Sequence, residues 1–282
     1  MECYYQPRYT AVDKYFPRDL SDQAMAYFNP WMFGFARPPP QRGARLWKPG
    51  EDFLQNTFHF PSFRDLPHEN EIEEGYWKCD DTGVFVPVCT WFFMAEITYD
   101  ECSQIPFLRN RVAVRDRVGH EEIPIYFYPE EGFFDFKTLK KGSTILVANG
   151  QKHNFLDLSI GLRIEQLDTV SVAPCSMGDL FSLSQTYHEN KGTKCWACGE
   201  TSVVAGSSSE AASSSVEELK KCGACKVACY CCKECQTKHW KERHKRSCKA
   251  MPIFTKLTKI DYTKHDTTAF LGPAHFIPGL LR

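Results

Sequence analysis

The sequence predicts a mixed α+β fold that is mainly β, with an N-terminal arm, a small antiparallel barrel and a cysteine-rich module. Short runs of β-branched and aromatic residues fill residues 84–174. Residues 1–67 hold nine of the 17 prolines and 15 of the 39 aromatic residues. Nine of the 14 cysteines lie between Cys195 and Cys248. We therefore divide the chain into an arm (1–83), a barrel domain (84–175), the cysteine-rich module (195–248) and a tail (249–282) that we expect to dock on the barrel.

Length and composition are those of an ordinary globular protein. The chain has 282 residues, of which 43% are apolar and 24% are charged, which excludes extensive disorder, collagen and coiled coil. Its net charge of −1 gives no overall attraction to nucleic acid or membranes. We find neither an apolar stretch of the roughly 18–20 residues that span a membrane nor a secretory signal. We therefore expect an intracellular protein, in the cytoplasm, the nucleus or both, without a membrane partner.

The N-terminal arm is rich in proline and aromatic residues and shows no periodicity. The run from Pro38 to Pro40 blocks any continuous helix or sheet. Such a segment is typical of an extended arm that wraps over a domain, and the alternative is a tail that binds a partner.

The barrel domain is predicted from six strand-like runs. A hairpin turn is expected at Val118-Gly119, and one short helix over residues 134–142. Because only that helix interrupts the strands, a closed antiparallel barrel is favoured over a parallel sheet. The order of elements resembles an OB-fold at the level of architecture, and an SH3-like barrel or a small sandwich is the alternative. The runs cover residues 84–99, 111–116, 123–128, 144–148, 160–165 and 170–172.

The cysteine-rich module has the spacing of metal ligands. Two thiolates of a Cys-x2-Cys pair converge on one ion from a tight turn, and Zn²⁺ prefers four such ligands in a tetrahedron. Eight ligands complete two tetrahedra and leave no open position, so two structural zinc ions are expected rather than a catalytic metal. The spacing permits either sequential or interleaved sites. The candidates are Cys195, Cys198, Cys222, Cys225, Cys231, Cys235, His244 and Cys248.

The segment from Cys222 to Cys248 resembles the MYND zinc fingers. It carries the aromatic residue before the fifth ligand (Tyr230), the Cys-Gln pair that starts at the sixth, and the tryptophan five residues later (Trp240). The resemblance implies interleaved sites, with Cys195, Cys198, Cys231 and Cys235 on one zinc ion and Cys222, Cys225, His244 and Cys248 on the other.

Three further residues compete with the ligands, and one insertion departs from the family pattern. Cys229 and Cys232 crowd Cys231, and His239 competes with His244, but the spacing favours the assignment above and leaves His239 exposed on the same helix. The low-complexity stretch 206–215 lengthens one loop of the finger, which costs only about 0.6 kcal/mol per doubling of loop length.

The resemblance also implies a binding function for the finger. In such fingers a shallow groove on the short helical part accepts peptides that contain proline and leucine, and Gln236 and Trp240 match residues that contribute to it. The alternative is that Trp240 packs between the two zinc lobes. Ten Lys or Arg residues lie between Lys220 and Lys249, and they form either a solvated basic face or a site for acidic partners or nucleic acid.

A second hypothesis is that the barrel binds single-stranded nucleic acid. Arginines at alternate positions of one strand would share a face, on which Tyr126 or Tyr128 could stack with bases. These arginines are Arg109, Arg111, Arg115 and Arg117.

An enzyme is not expected. Some MYND fingers accompany SET-type methyltransferase domains, but the motifs of that domain are absent, as are P-loop, hydrolase, zinc-protease and dinucleotide-binding motifs.

Overall fold

The computed structural model describes residues 51–69, 71–72, 75–81, 85–101, 110–119, 122–128, 134–190, 192–201 and 219–265. The first 50 residues of the predicted arm, Arg109, the stretch 206–215 and the tail beyond His265 lie outside these ranges. None of the helices within them has the length and apolar character needed to cross a lipid bilayer.

A short hairpin precedes the main sheet. Strands β1 (Trp77–Cys79) and β2 (Phe85–Pro87) pair antiparallel, so this hairpin crosses the boundary predicted at residue 83. The run predicted over 84–99 is therefore two strands, not one. Pro87 ends β2 because it has no N–H to donate to a further ladder bond.

The main sheet has seven strands in the described residues. Numbered along the chain, the strands are β3 (Phe92–Glu101), β4 (Arg111–Asp116), β5 (Ile123–Phe127), β6 (Thr144–Ala148), β7 (His153–Asn154), β8 (Ile160–Ile164) and β9 (Val170–Ala173). The bounds of β4, β5, β6, β8 and β9 agree closely with predicted runs, whereas β7 matches none of them. The turn at Gly119 has the positive φ of 76° expected of a hairpin.

The sheet differs from the predicted all-antiparallel barrel in one pairing. Its order is β7-β8-β5-β4-β3-β6-β9, and β5 pairs with β8 in parallel. Parallel neighbours need a long crossover, and here β6 and β7 lie within it. β3, β4 and β5 form a meander, after which β6 returns to β3. This is Greek-key connectivity, and within the described residues no pairing joins β6 to β8, as in a partly open, OB-like barrel.

The helix predicted over 134–142 is only a single 3₁₀ turn, Phe136–Thr138. The Phe134 and Phe136 rings pack against the barrel, and the Phe136 ring lies 5.4 Å from the Phe127 ring. This burial, together with the positive φ of 80° at Gly142, turns the chain directly into β6.

A helix that the sequence analysis left unassigned follows the sheet. Helix α1 (Met177–Asn190) buries Leu180 and Leu183. The Ser176 hydroxyl donates to the Asp179 carboxylate at 3.0 Å, and the Asp179 N–H donates back to the Ser176 oxygen at 3.1 Å. This reciprocal cap satisfies a backbone donor of the first turn.

The cysteine-rich module consists of a small hairpin and a run of short helices. In chain order they are β10 (Lys220–Lys221), β11 (Cys229–Tyr230), α2 (Lys233–His239), a π-helical turn (Trp240–His244), α3 (Lys245–Ser247), a 3₁₀ turn (Cys248–Ala250) and α4 (Met251–Leu257).

Two hydrophobic cores meet at strands β3 and β6. Alternate residues of a strand point to opposite faces, so Phe93 and Ile97 enter the barrel core, formed by residues from Leu66 to Val170. Phe92 and Met94 enter a second core, which we call the shared core because it also contains α1, the cysteine-rich module and α4. β6 and the first part of β3, through Ala95, are therefore buried on both faces.

Tyr262 joins the arm, the barrel and the tail within the shared core. It is fully buried, and its ring lies 5.8 Å from that of Phe53, 5.6 Å from that of Phe60 and 6.2 Å from that of Phe92. The Thr90 N–H donates to the Tyr262 carbonyl oxygen at 3.4 Å. Residues 249–265 thus dock on the barrel in the manner expected of the tail.

Replacing Tyr262 tests this junction. We expect Tyr262→Ala to lower the free energy of unfolding by about 3–5 kcal/mol, because it leaves a cavity among buried rings. Tyr262→Phe removes only the hydrogen bond to the Leu257 carbonyl oxygen and should cost about 1 kcal/mol. Urea unfolding of the zinc-loaded chain measures both values. The exposed Tyr99→Ala is the control, and equal effects of Tyr262→Ala and Tyr99→Ala would contradict the expectation.

Candidate metal centres and binding surfaces

The structure brings the eight predicted ligands together in two interleaved groups. Within each group the ligand atoms all lie within 4.8 Å of one another. Sulfur atoms at the corners of a tetrahedron around zinc, with bonds of about 2.3 Å, lie about 3.8 Å apart. The Cys198–Cys231 and Cys231–Cys235 sulfur distances are 3.6 and 3.5 Å. The groups are Cys195, Cys198, Cys231 and Cys235, which we call site 1, and Cys222, Cys225, His244 and Cys248, which we call site 2.

Each site begins with a tight turn of the same form. In site 1 the Gly199 N–H donates to the Cys195 carbonyl oxygen at 2.9 Å, and in site 2 the Lys226 N–H donates to that of Cys222 at 2.9 Å. Both donors lie four residues after the first cysteine and have positive φ, 77° at Gly199 and 61° at Lys226. The repeated turn folds each Cys-x2-Cys pair so that its two sulfur atoms face one point.

These turns also favour the thiolate form of the first cysteine. Burial alone would raise the pKa of Cys195, but backbone hydrogen bonds from Cys198, Cys231 and Ala197 outweigh it and lower the pKa to about 6. The pKa of Cys222 is likewise lowered, because backbone hydrogen bonds from Cys225 and Ala224 outweigh burial. Since the thiolate is the form that binds zinc, each site contains one thiol that is prepared for the metal.

His244 supplies the single nitrogen ligand of site 2. Its Nε2 lies 3.5 Å from the Cys225 sulfur, close to the N–S distance of about 3.5 Å expected for a shared zinc ion. Burial, with a smaller contribution from His239, lowers the pKa of His244 to about 4. The neutral imidazole that a metal requires is therefore the favoured form.

The competing cysteines have other roles. The Cys232 sulfur accepts the Cys235 N–H at 3.4 Å and caps α2. The Cys229 thiol donates to the Val227 carbonyl oxygen at 3.2 Å. Neither belongs to a ligand group. All nine cysteines of the module are free thiols, whereas Cys79, outside it, is disulfide-bonded.

His239 is not exposed, contrary to expectation. Its Nδ1 lies 2.9 Å from the Tyr230 hydroxyl, and its ring stacks on that of His244 at 5.5 Å. It is buried because α2 packs this face against β11. Burial and the nearby Arg243 lower its pKa.

The proposed peptide-binding residues lie one helical turn apart. Trp240 is 38% exposed, and its ring lies in an edge-to-face arrangement with the His244 ring, at 5.8 Å between centroids. Gln236 is half-buried. Residues four apart share a helix face, so both side chains border the same surface.

The predicted row of arginines is only partly present. Arg111 lies over the Tyr126 ring at 5.3 Å, and Arg115 pairs with Glu122 at 3.8 Å. Arg117 instead lies over the Phe181 ring of α1 at 5.6 Å. The packing of α1 on this end of β4 removes Arg117 from the predicted face.

One cation of this surface, Arg163, was missed in the sequence analysis. It lies over the Tyr128 ring at 4.7 Å and pairs with Glu165 at 2.7 Å. Cross-strand register places Arg111, Tyr126 and Arg163 directly beside one another on β4, β5 and β8. Arg163 was not predicted because it reaches this surface through the parallel pairing of β5 with β8, which brings two distant segments together.

Among the comparisons with known proteins, a family model matches the cysteine-rich module. Residues 195–248 match the family model of the MYND finger. No curated protein matches the chain. A crystal structure of Schizosaccharomyces pombe Pot1pC bound to single-stranded DNA matches at 9% identity and a TM-score of 0.25, over 38% of this chain and 92% of that chain. At this TM-score the similarity supports no conclusion about the fold or the function of this chain. The module is a MYND finger whose two ligand groups fit two zinc ions.

Single cysteine replacements distinguish ligands from their neighbours. We expect Cys231→Ser to reduce bound zinc below two ions per chain, because it opens site 1. Cys229→Ser and Cys232→Ser should keep both ions, because these sulfurs bond only to protein groups. Inductively coupled plasma mass spectrometry of the purified chain gives the stoichiometry. Loss of zinc from Cys232→Ser with full retention in Cys231→Ser would reverse the assignment.

Proposed function

We propose that this protein is a zinc-binding interaction protein whose MYND finger docks peptides of partner proteins that contain proline and leucine. The observation that carries this proposal is the exposure of Trp240 on a finger whose other large aromatic residues, Trp196 and Tyr230, are buried. An exposed tryptophan adjoining two rigid metal sites is a fixed apolar platform.

The chemistry of the platform suits an extended proline segment. Polyproline II is already restricted in conformation, so it loses little entropy when it lies on a flat indole. Leucine side chains add apolar contact, and the Gln236 amide offers both a donor and an acceptor to the peptide backbone.

A structural rather than catalytic role for zinc agrees with the ligand sets. Catalytic zinc keeps one coordination position for water, whereas each site here offers four protein ligands. Together with the absence of catalytic motifs from the sequence, this supports a binding protein over an enzyme.

Binding of single-stranded nucleic acid by the barrel is a second candidate. The observation in its favour is the row of Arg111, Tyr126 and Arg163 across three strands, in which cations and aromatic rings alternate. Such a surface combines attraction to phosphate with rings for base stacking. Pairing of Arg163 with Glu165 weakens that attraction.

Replacing the exposed tryptophan tests the first proposal. We expect Trp240→Ala to abolish binding of a fluorescein-labelled peptide of alternating proline and leucine, measured by fluorescence anisotropy, while zinc content stays at two ions. Lys241→Ala, at the neighbouring exposed position, is the control and should bind as the wild type does. If Trp240→Ala loses zinc instead, the residue is structural and the proposal fails.

A salt titration tests the second candidate. Each phosphate contact with a single strand contributes about 0.7 to the slope of log affinity against log salt concentration. We expect the double variant Arg111→Gln/Arg163→Gln to lower the slope for a labelled 12-nucleotide DNA strand by about 1.4. The double variant Lys137→Gln/Lys140→Gln removes the same charge from exposed positions and should leave the slope unchanged. No binding of the wild type at low salt would exclude this candidate.

A further inference from the structure

A fifth cysteine, Cys232, lies against two ligands of site 1. Its sulfur atom lies 3.9 Å from that of Cys231 and 3.4 Å from the backbone nitrogen of Cys235. The side chains of Cys232 and Cys235 are also in hydrogen-bonding contact. Because Cys232 belongs to neither ligand group and is a free thiol, site 1 has a spare thiol beside its four ligands.

The two sites differ in how closely solvent approaches their sulfur atoms. Of the four ligands of site 1 only Cys195 is buried, and Cys198 is exposed. Of the four ligands of site 2 only Cys225 escapes burial, and His244 is 1% exposed. A small solute in water therefore reaches the sulfur atoms of site 1 more readily than those of site 2.

Cys232 and Cys235 have the spacing of a disulfide. Cys232 is the N-cap of α2, and Cys235 lies three residues later, in the first turn. Residues three apart on an α-helix have Cα atoms about 5 Å apart, and the range for disulfides is about 4.4–6.8 Å. Cys231 is a poorer partner for Cys232, because the Cα atoms of adjacent residues are only about 3.8 Å apart.

We propose that Cys232 and Cys235 form a peroxide-reactive pair that closes as a disulfide and thereby opens site 1. A cysteine that binds zinc is a thiolate, which is the nucleophilic form. The Cys235 thiolate attacks one oxygen of hydrogen peroxide, so that an S–O bond forms, the O–O bond breaks and hydroxide leaves.

Cys232 completes the reaction. Its thiol attacks the oxidised sulfur of Cys235, so that the S–S bond forms and the S–O bond breaks, and the thiol proton leaves with the hydroxyl group as water. In total, two electrons pass from the two sulfur atoms to the peroxide. Site 1 then has three ligands and holds its ion less tightly, whereas site 2 keeps all four.

The first experiment titrates hydrogen peroxide into the zinc-loaded full chain in the presence of a chelator. We expect bound zinc to fall from two ions to one, and dithiothreitol with added zinc to restore the second. Lys233 lies between the two cysteines, so trypsin separates them and mass spectrometry detects their disulfide as a cross-link. Fragmentation spectra distinguish Cys231 from Cys232, and protection of Cys222 from alkylation shows that site 2 remains closed.

The variant Cys232→Ser separates the pair from general oxidation of the finger. A serine hydroxyl replaces the thiol as N-cap of α2, so the variant should fold and bind two ions. We expect peroxide to convert its Cys235 to the sulfinic acid, which dithiothreitol does not reduce, so zinc is not regained. Cys229→Ser, whose sulfur is buried outside both ligand groups, is the control and should respond as the wild type does.

Three results overturn the proposal. The first is a wild-type chain that keeps both ions at peroxide concentrations that oxidise free cysteine. The second is a first disulfide between two ligands, such as Cys198 and Cys231, whose sulfur atoms lie 3.6 Å apart. The third is full recovery of zinc binding by oxidised Cys232→Ser.

The second experiment asks whether the pair controls the peptide surface, and this part rests on the proposed function. Gln236 directly follows Cys235, so opening site 1 frees the part of α2 that carries it. We expect peroxide to weaken binding of the labelled proline–leucine peptide about tenfold, and dithiothreitol with zinc to restore it. Equal binding before and after oxidation overturns this control. If the reduced chain binds no peptide, the proposed function fails, while the zinc content and the disulfide map still decide the redox pair.

Discussion

The structure of the finger depends on the interleaving of its two ligand sets. Site 1 ties the turn at Cys195 to the start of α2, and site 2 ties the turn at Cys222 to the end of the π-helical turn. Along the chain, ligand pairs of the two sites alternate. Each ion therefore joins two segments that are separated in sequence by a ligand pair of the other ion. A structural zinc site contributes on the order of 10–16 kcal/mol, far more than any hydrogen bond in this region. Trp240 lies between the last ligands of the two sites, so its position is fixed by both.

The negative charge of the two zinc centres is offset by Lys and Arg residues close to them in the chain. Seven thiolates and two Zn²⁺ ions sum to −3, whereas ten Lys or Arg residues lie between Lys220 and Lys249. Backbone N–H groups stabilise the thiolate of the first cysteine in each site, and the pKa values of Cys195 and Cys222 are accordingly lowered. The segment 220–249, in which ten Lys or Arg residues face only Glu234 and Glu242, is thus a basic part of a nearly neutral protein.

Sequence reasoning was most successful where local chemistry decides the structure. Ligand spacing and the family resemblance gave all eight metal residues, and the β-branched runs gave most strand bounds within a few residues. Sequence reasoning failed where contacts between distant segments determine the structure. The parallel pairing of β5 with β8 and the burial of His239 each join segments distant in sequence. Helix α1 was within reach, because Ser176 and Asp179 have the spacing of a capping box.

The two-sided burial of β3 and β6 means that the barrel and the finger are not independent modules. A chain shortened before Met177 would retain the barrel core but uncover Phe92, Met94 and Leu146, which pack against α1 and the finger in the whole protein. An apolar patch of this kind drives self-association in water. Recombinant fragments designed from sequence boundaries alone would therefore precipitate or oligomerise, and a soluble minimal unit has to extend from the aromatic residues around Phe53 to Tyr262.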